Sequence, residues 1–204
     1  MTGALAMLAI LAEVASPREP EGDDALVARH RADDPDAFAE IYRAHADAVY
    51  RRLTRILGPI AEREDLAQDV FLALHRALPR FRGEASLGTL IQRIAINIAY
   101  EHLRRSGRRP ASPVDTRFFD ELIAPDASPE IRAASREDLA RVFACLARIK
   151  PKKRIALLLR VVDGMGFDEI GRLVDASPET VAKRVQHGMR ELDALLARTT
   201  GRPS

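Results

Sequence analysis

The chain of 204 residues contains no tryptophan and one cysteine, Cys145, and aromatic side chains make up only 5% of it. A single thiol excludes a disulfide framework and any cysteine-based zinc finger, and it suits a reducing cytoplasmic compartment. Few aromatics and almost no period-two alternation argue against a β-sandwich. They favour an all-α protein packed with Ala and Leu. Charge of one sign is lacking too: 32 Lys and Arg stand against 30 Asp and Glu, a net +2. Whole-chain charge therefore demands no anionic partner. With 30% charged residues the chain is too polar for a membrane protein, and with 47% hydrophobic residues it is too apolar to be disordered throughout.

One apolar run stands out, Ala4 to Ala15 (ALAMLAILAEVA). No Lys or Arg precedes it, Glu13 interrupts it, and it is too short to cross a bilayer. It reads as a loose helix or as the product of an early start codon, so no membrane insertion is expected. A regulatory role for the residues before Asp23 is left open.

Apolar residues recur at helical spacing through the rest of the chain. A first helix is expected from Pro35 to Leu57, with Phe38, Ile41, Tyr42, Val49, Leu53 and Ile56 on one side, ended by Gly58-Pro59. A second runs from Glu62 to Leu78 with Leu66, Val70, Phe71, Leu74 and Leu78 as its stripe, and Pro79 stops it. Arg80 to Ser86 reads as a loop. A third helix, Leu87 to Arg105, is expected to bury Leu90, Ile91, Ile94, Ile98 and Leu103. From Ser106 to Pro129, four prolines break every helical window, marking a flexible linker with a turn near Phe118–Ile123. Helices resume at Glu130–Ala147, Pro151–Asp163, Asp168–Val174 and Pro178–Leu196. The expected plan is two small helical domains: residues 23–105 and 130–198, joined by linker 106–129, with an extension 1–22 and a tail 199–204.

The near-neutral total hides an uneven distribution. Residues 81–110 carry net +4 and residues 141–204 net +6, whereas residues 111–138 carry net −4. Two basic modules around an acidic tether form a nucleic-acid footprint. The sharpest motif lies between Phe167 and Val185: a short helix, a turn at Asp175-Ala176, then Ser177 as N-cap and Pro178 as first helical residue. Gly171 permits close helix approach and Val181 plugs the angle, as a helix-turn-helix requires. Asp175 occupies the turn position where φ is positive. The second helix of such a motif leads into the major groove, nominating Thr180, Lys183, Arg184 and His187 for phosphates or base edges, with Gln186 and Arg190 in support.

With these pieces in order, the chain from Asp34 to Leu196 resembles the sigma-70 family, specifically the two-domain extracytoplasmic-function (ECF) sigma factors. Glu64 to Leu72, Arg80 to Ser86, Arg93 to Asn97 and His102 to Arg105 look like region 2. Ala156 to Arg160, Gly164 and the helix-turn-helix look like region 4. The resemblance implies that region 2 holds core RNA polymerase and opens the promoter −10 element, while region 4 reads the −35 element as duplex. On the second helix Asp65, Gln68, Asp69 and Leu72 lie at i, i+3, i+4 and i+7, beside the apolar stripe. A half-acidic exposed face suits a basic protein partner, and the resemblance names the clamp helices of the largest polymerase subunit, with the flap region as a second contact. On the third helix Arg93, Asn97, Tyr100, Arg104 and Arg105 share a polar side fit for phosphates. The loop from Phe81 to Thr89, with Arg82 and Ser86, is where the family captures a flipped base. Many relatives carry aromatics where this chain has Leu90, Ile91 and Gln92, so capture is expected to rest on polar and backbone groups of the loop. An anti-sigma factor is a further partner that the family permits.

The tether fits this reading. Its 24 residues, 106 to 129, reach about 80 Å when extended, against about 70 Å for two turns of duplex. Two rivals stand beside it: a stand-alone helix-turn-helix regulator that binds an operator as a dimer, and a sigma-like mimic that sequesters an anti-sigma factor. An enzyme reading finds little support. The five histidines show no metal spacing, and there is neither a phosphate-binding Gly loop nor a nucleophile elbow. No cofactor is expected, and Cys145 reads as a packing residue.

Overall fold

The computed structural model describes Leu8, residues 22–106 and residues 128–199. They form eight α-helices: α1 Asp23–Arg31, α2 Ala37–Leu57, α3 Arg63–Ala77, α4 Leu87–Ser106, α5 Pro129–Leu146, α6 Pro151–Val161, α7 Phe167–Val174 and α8 Pro178–Thr199. A 3-10 turn, Leu78–Arg80, closes α3. No strand occurs among the described residues, so the all-α expectation holds. The linker 106–129, apart from its ends, lies outside the described residues. So does the turn expected near Phe118–Ile123, and so does the tail beyond Thr199.

The chain divides into two compact units. One comprises Pro17–Leu57 and Glu62–Arg105, and the other Ser106–Ser204 with Met1–Ser16 and Gly58–Ala61. In the first module α2 and α3 pack through Ile41, Val49, Leu53, Ile56, Val70, Phe71 and Leu74, all buried. Helix α1 is an addition to the expected three. Its apolar pattern is too weak to announce it, since Val27 is its one buried residue, and polar links hold it instead. Arg29 donates to Asp34 at 2.8 Å and to Glu40 at 3.0 Å. Buried His45 of α2 lies 3.0 Å from the Asp23 carboxylate. The rings of His30, Phe38 and His75 meet edge-on or tilted at 5.0–5.7 Å, linking α1, α2 and α3.

Two burial expectations are corrected. Tyr42 is not a core residue: it is 46% exposed, with its ring 4.6 Å from that of Phe71. In α4 the buried positions are Leu87, Ile91, Ala95, Ile96 and Ala99, while Leu90, Ile94, Ile98 and Leu103 are only half-buried. The buried face of α4 thus mixes the small Ala95 and Ala99 with Leu87, Ile91 and Ile96.

In the second module α6 is the central helix, buried without a break from Arg154 to Leu159. It packs on α8, where Gly188 keeps the backbones close: a Cβ there would sit 3.3 Å from the Lys153 carbonyl oxygen. Lys153 and Glu191 form an ion pair across the same contact. Leu139, Val142, Phe143 and Leu146 of α5 complete the core, and so does Leu8, which is fully buried in this cluster. Ser128 caps α5 by accepting from the Ile131 N–H at 3.4 Å. The turn into α7 is fixed by Arg160, whose guanidinium lies 4.8 Å from the Phe167 ring and donates to the Met165 carbonyl at 2.9 Å.

Candidate nucleic-acid interfaces

The helix-turn-helix is built by local geometry. Asp175 adopts φ 49° and ψ 63°, the left-handed conformation expected of it, and ends α7. Gly171 leaves room for the turn, since a Cβ there would stand 2.5 Å from the Ala176 carbonyl oxygen. Its own carbonyl accepts from the Ala176 N–H at 3.0 Å. Ser177 caps α8, accepting from the Thr180 N–H at 3.3 Å, and its hydroxyl meets that of Thr180 at 3.1 Å. Val181 is fully buried in the angle. Thr180, Lys183, Gln186, His187 and Arg190 are exposed, and Arg184 is half-buried. The leading end of α8 is not uniformly basic. Asp168 and Asp175 line a depression beside it, and the Ser177 hydrogen bond, with Lys183 nearby, holds the Glu179 carboxyl below its ordinary range.

In the first module the loop before α4 borders a 500 Å³ cavity lined by Arg76, Arg80, Phe81, Arg82, Leu90 and Arg93 among others. The structure thus brings Arg82 and Arg93 together and adds Arg76 and Arg80, which the sequence reading did not nominate. The visible signal for them was the i, i+4 spacing of two arginines on either side of Pro79. Phe81 and Leu90 give the cavity apolar wall, so its lining is not confined to polar and backbone groups. Ser86 is exposed and caps α4, accepting from the Thr89 N–H at 3.1 Å. Along α4, Arg93, Asn97, Arg104 and Arg105 are exposed and Tyr100 is half-buried. From Arg93 to Arg105 the helix rises about 18 Å, several phosphate spacings of a single strand. Arg104 is already engaged, donating to Glu101 at 2.7 Å. Gln92, on the next face, accepts from Arg52 at 3.4 Å.

A third surface lies on α3. Asp65, Gln68, Asp69 and Leu72 are all exposed, Leu72 to 55%. Leu72 and Tyr42 are the exposed large hydrophobic residues among the described residues of the first module. Elsewhere, burial pushes the Cys145 thiol up, as befits a packed side chain. Among the described residues there is no cluster of His, Cys, Asp and Glu that would hold a metal ion, and no helix is long and apolar enough to cross a membrane.

A helix-turn-helix in one helical module, and an arginine-lined cavity and an exposed acidic-apolar helix face in the other, are features of the class of DNA-binding proteins. Comparisons with known proteins specify it. The Sigma-70 region 2 family model matches residues 41–109, and the model for Sigma-70, region 4 matches residues 139–192. The RNA polymerase sigma-H factor of Pseudomonas aeruginosa is 31% identical, over 86% of this chain and 94% of its own length. The ECF RNA polymerase sigma-E factor of Escherichia coli is 29% identical, over 84% of this chain and 92% of its own. Among solved structures, CnrH in complex with the cytosolic domain of CnrY superposes with a TM-score of 0.59 at 22% identity, covering 86% of this chain and 97% of that one. RpoE of Bartonella quintana, in complex with the anti-sigma factor NepR, gives a TM-score of 0.55 at 17% identity, covering 79% and 97%. The chain belongs to the sigma-70 family, in its ECF branch, and is a factor that directs RNA polymerase in transcription initiation.

Proposed function

We propose that this sigma factor divides promoter recognition between its modules as follows. The α3 face of Asp65, Gln68, Asp69 and Leu72, extended by Tyr42, docks on the clamp helices of the largest polymerase subunit, and the second module contacts the flap region. Arg82, Ser86 and Arg93, with Asn97, Tyr100, Arg104 and Arg105 along α4, hold the non-template strand of the −10 element, and the cavity beside Arg93 receives an unstacked base. Thr180, Lys183, Arg184, Gln186, His187 and Arg190 of α8 contact the −35 duplex. Residues 106–129 span the gap between the two elements. The protein works in the cytoplasm as a binding factor, without a cofactor and with catalysis left to the polymerase. The complex of RpoE with the anti-sigma factor NepR supports an anti-sigma factor as a further partner. The alternatives, a mimic and a stand-alone regulator, are not favoured: neither has a use for an arginine-lined cavity together with an exposed acidic-apolar α3 face.

That cavity, lined by Arg82 and Arg93 together with Phe81 and Leu90, is the observation that carries the proposal. Its test is multi-round transcription from a genomic promoter library with purified core polymerase. The expected result is discrete transcripts sharing two spaced upstream elements. In the Arg82→Ala/Arg93→Ala double variant, core binding is kept while permanganate reactivity of −10 thymines falls at least tenfold. Unchanged reactivity would remove the cavity from promoter opening.

A further inference from the structure

Leu8 has no solvent exposure, and the apolar cluster that buries it belongs to the second module: Leu139, Phe143 and Leu146 of α5 and Leu192 and Leu196 of α8. Met1–Ser16 falls in the same compact unit as that module, whereas the chain from Pro17 to Leu57 falls in the other. Fully burying a leucine requires a fitted apolar site, not a casual surface contact. The surrounding sequence has matching chemistry: Leu8, Leu11, Ala12 and Ala15 follow the i, i+3, i+4, i+7 spacing of one helix face.

We propose that the apolar segment Ala4–Ala15 docks in cis on the second module through Leu8, tying the two modules together by a second, shorter connection. Ser106 and Ser128, at the ends of the linker, can separate by about 75 Å when the chain between them is extended. Docking leaves 13 residues, 9–21, between Leu8 and Gly22, a reach of about 50 Å at full extension. Gly22 borders the loop residues Gly83, Ala85, Ser86 and Leu87, part of the −10 strand surface in the proposed function. From Leu196 to Lys183 α8 adds about 20 Å. Simultaneous contact with elements about 70 Å apart therefore needs the short connection drawn taut, where its chain entropy is least. Docking opposes engagement of both elements, and release of the segment favours it. This consequence rests on the sigma-factor reading; the docking itself does not.

The docking and the second connection are tested on the full chain without polymerase or DNA. Hydrogen exchange by mass spectrometry and small-angle scattering are compared for wild type, Leu8→Met, Leu8→Ala and Leu8→Asp. Amide exchange in residues 139–149 and 188–199 is expected to speed up about tenfold or more in Leu8→Asp and by less in Leu8→Ala. It stays at the wild-type rate in Leu8→Met, and α2 to α4 are unaffected in every variant. The radius of gyration rises in Leu8→Asp while the protein stays monomeric. Unchanged exchange in both Leu8→Asp and Leu8→Ala overturns the docking. A wild-type dimer that Leu8→Asp dissolves places the segment on a second copy and overturns the cis contact. An unchanged radius of gyration despite faster exchange overturns the second connection.

Discussion

Arg154 is 3% exposed and its Nε has no hydrogen-bond partner. Burial pushes its pKa down to about 10, well above neutrality, so the charge remains and its desolvation opposes folding at every physiological pH. A buried charge without compensation is a common route to stabilisation by an apolar isostere. Arg154→Met is expected to raise stability by about 1–4 kcal/mol, read from denaturant midpoints; a lower midpoint would show that the guanidinium has partners in solution. His102 contributes to the pH dependence of stability. Burial holds its pKa below the usual histidine value; Glu62 opposes this and Arg105 adds to it. The folded imidazole therefore resists the proton more than the unfolded one. Its contribution is present above the ordinary histidine pKa and is lost as pH falls through that value toward the lowered one. Thermal scans from pH 7 down to pH 5 should show a declining midpoint, and His102→Gln should flatten part of that decline. In the proposed function Glu101 competes with DNA for Arg104; their ion pair lowers the Glu101 carboxyl and raises the Arg104 guanidinium. Glu101→Gln is expected to tighten binding to single-stranded −10 DNA a few-fold, with a steeper salt dependence. Equal affinity would show that Arg104 makes no phosphate contact.

Among the elements, the helix-turn-helix is the least forgiving. A Cβ at Gly171 would meet the Ala176 carbonyl oxygen at 2.5 Å, backbone against backbone, with no flexible side chain to move. Gly171→Ala should abolish −35 duplex binding, measured by fluorescence anisotropy, while hydrogen exchange in the first module stays unchanged. Asp175 holds a positive φ beside the leading end of α8. Asp175→Gly is expected to relieve about 1 kcal/mol of backbone strain and to remove a negative charge from the DNA side, so affinity rises; weaker binding would assign Asp175 a positive role. This motif was legible in the sequence because each part has its own chemical signature: a small residue, a left-handed turn, an Ser-Pro cap and a β-branched plug. Helix α1 was not, because Arg29, His45 and Asp23 hold it across intervals of up to 22 residues, and no periodicity records such links. Tyr42 was misplaced for a related reason. An aromatic on the edge of an apolar stripe packs against Phe71 and still faces solvent. The cavity was half-visible: Arg82 and Arg93 could be nominated, but Arg76 and Arg80 join them only when the 3-10 turn at Leu78–Arg80 folds the chain back.

For the whole molecule, modest charge and two separate contact surfaces explain why each module alone should bind DNA weakly. Few phosphates are expected to be neutralised by either one, so isolated affinity should be low, with a shallow salt dependence set by that small number. Linking the two contacts on one chain, with polymerase fixing their register, raises the effective concentration of the second once the first is made. The account therefore stands on cooperation between the cavity of the first module and α8 of the second. Its most direct test is transcription by core polymerase with this protein on promoters whose −35 to −10 spacing is varied by single base pairs. A sharp optimum is expected, lost when Lys183 and Arg184 are replaced by alanine and abolished with the Arg82→Ala/Arg93→Ala pair. Transcription indifferent to spacing, or unaffected by either pair of substitutions, would contradict the two-point account.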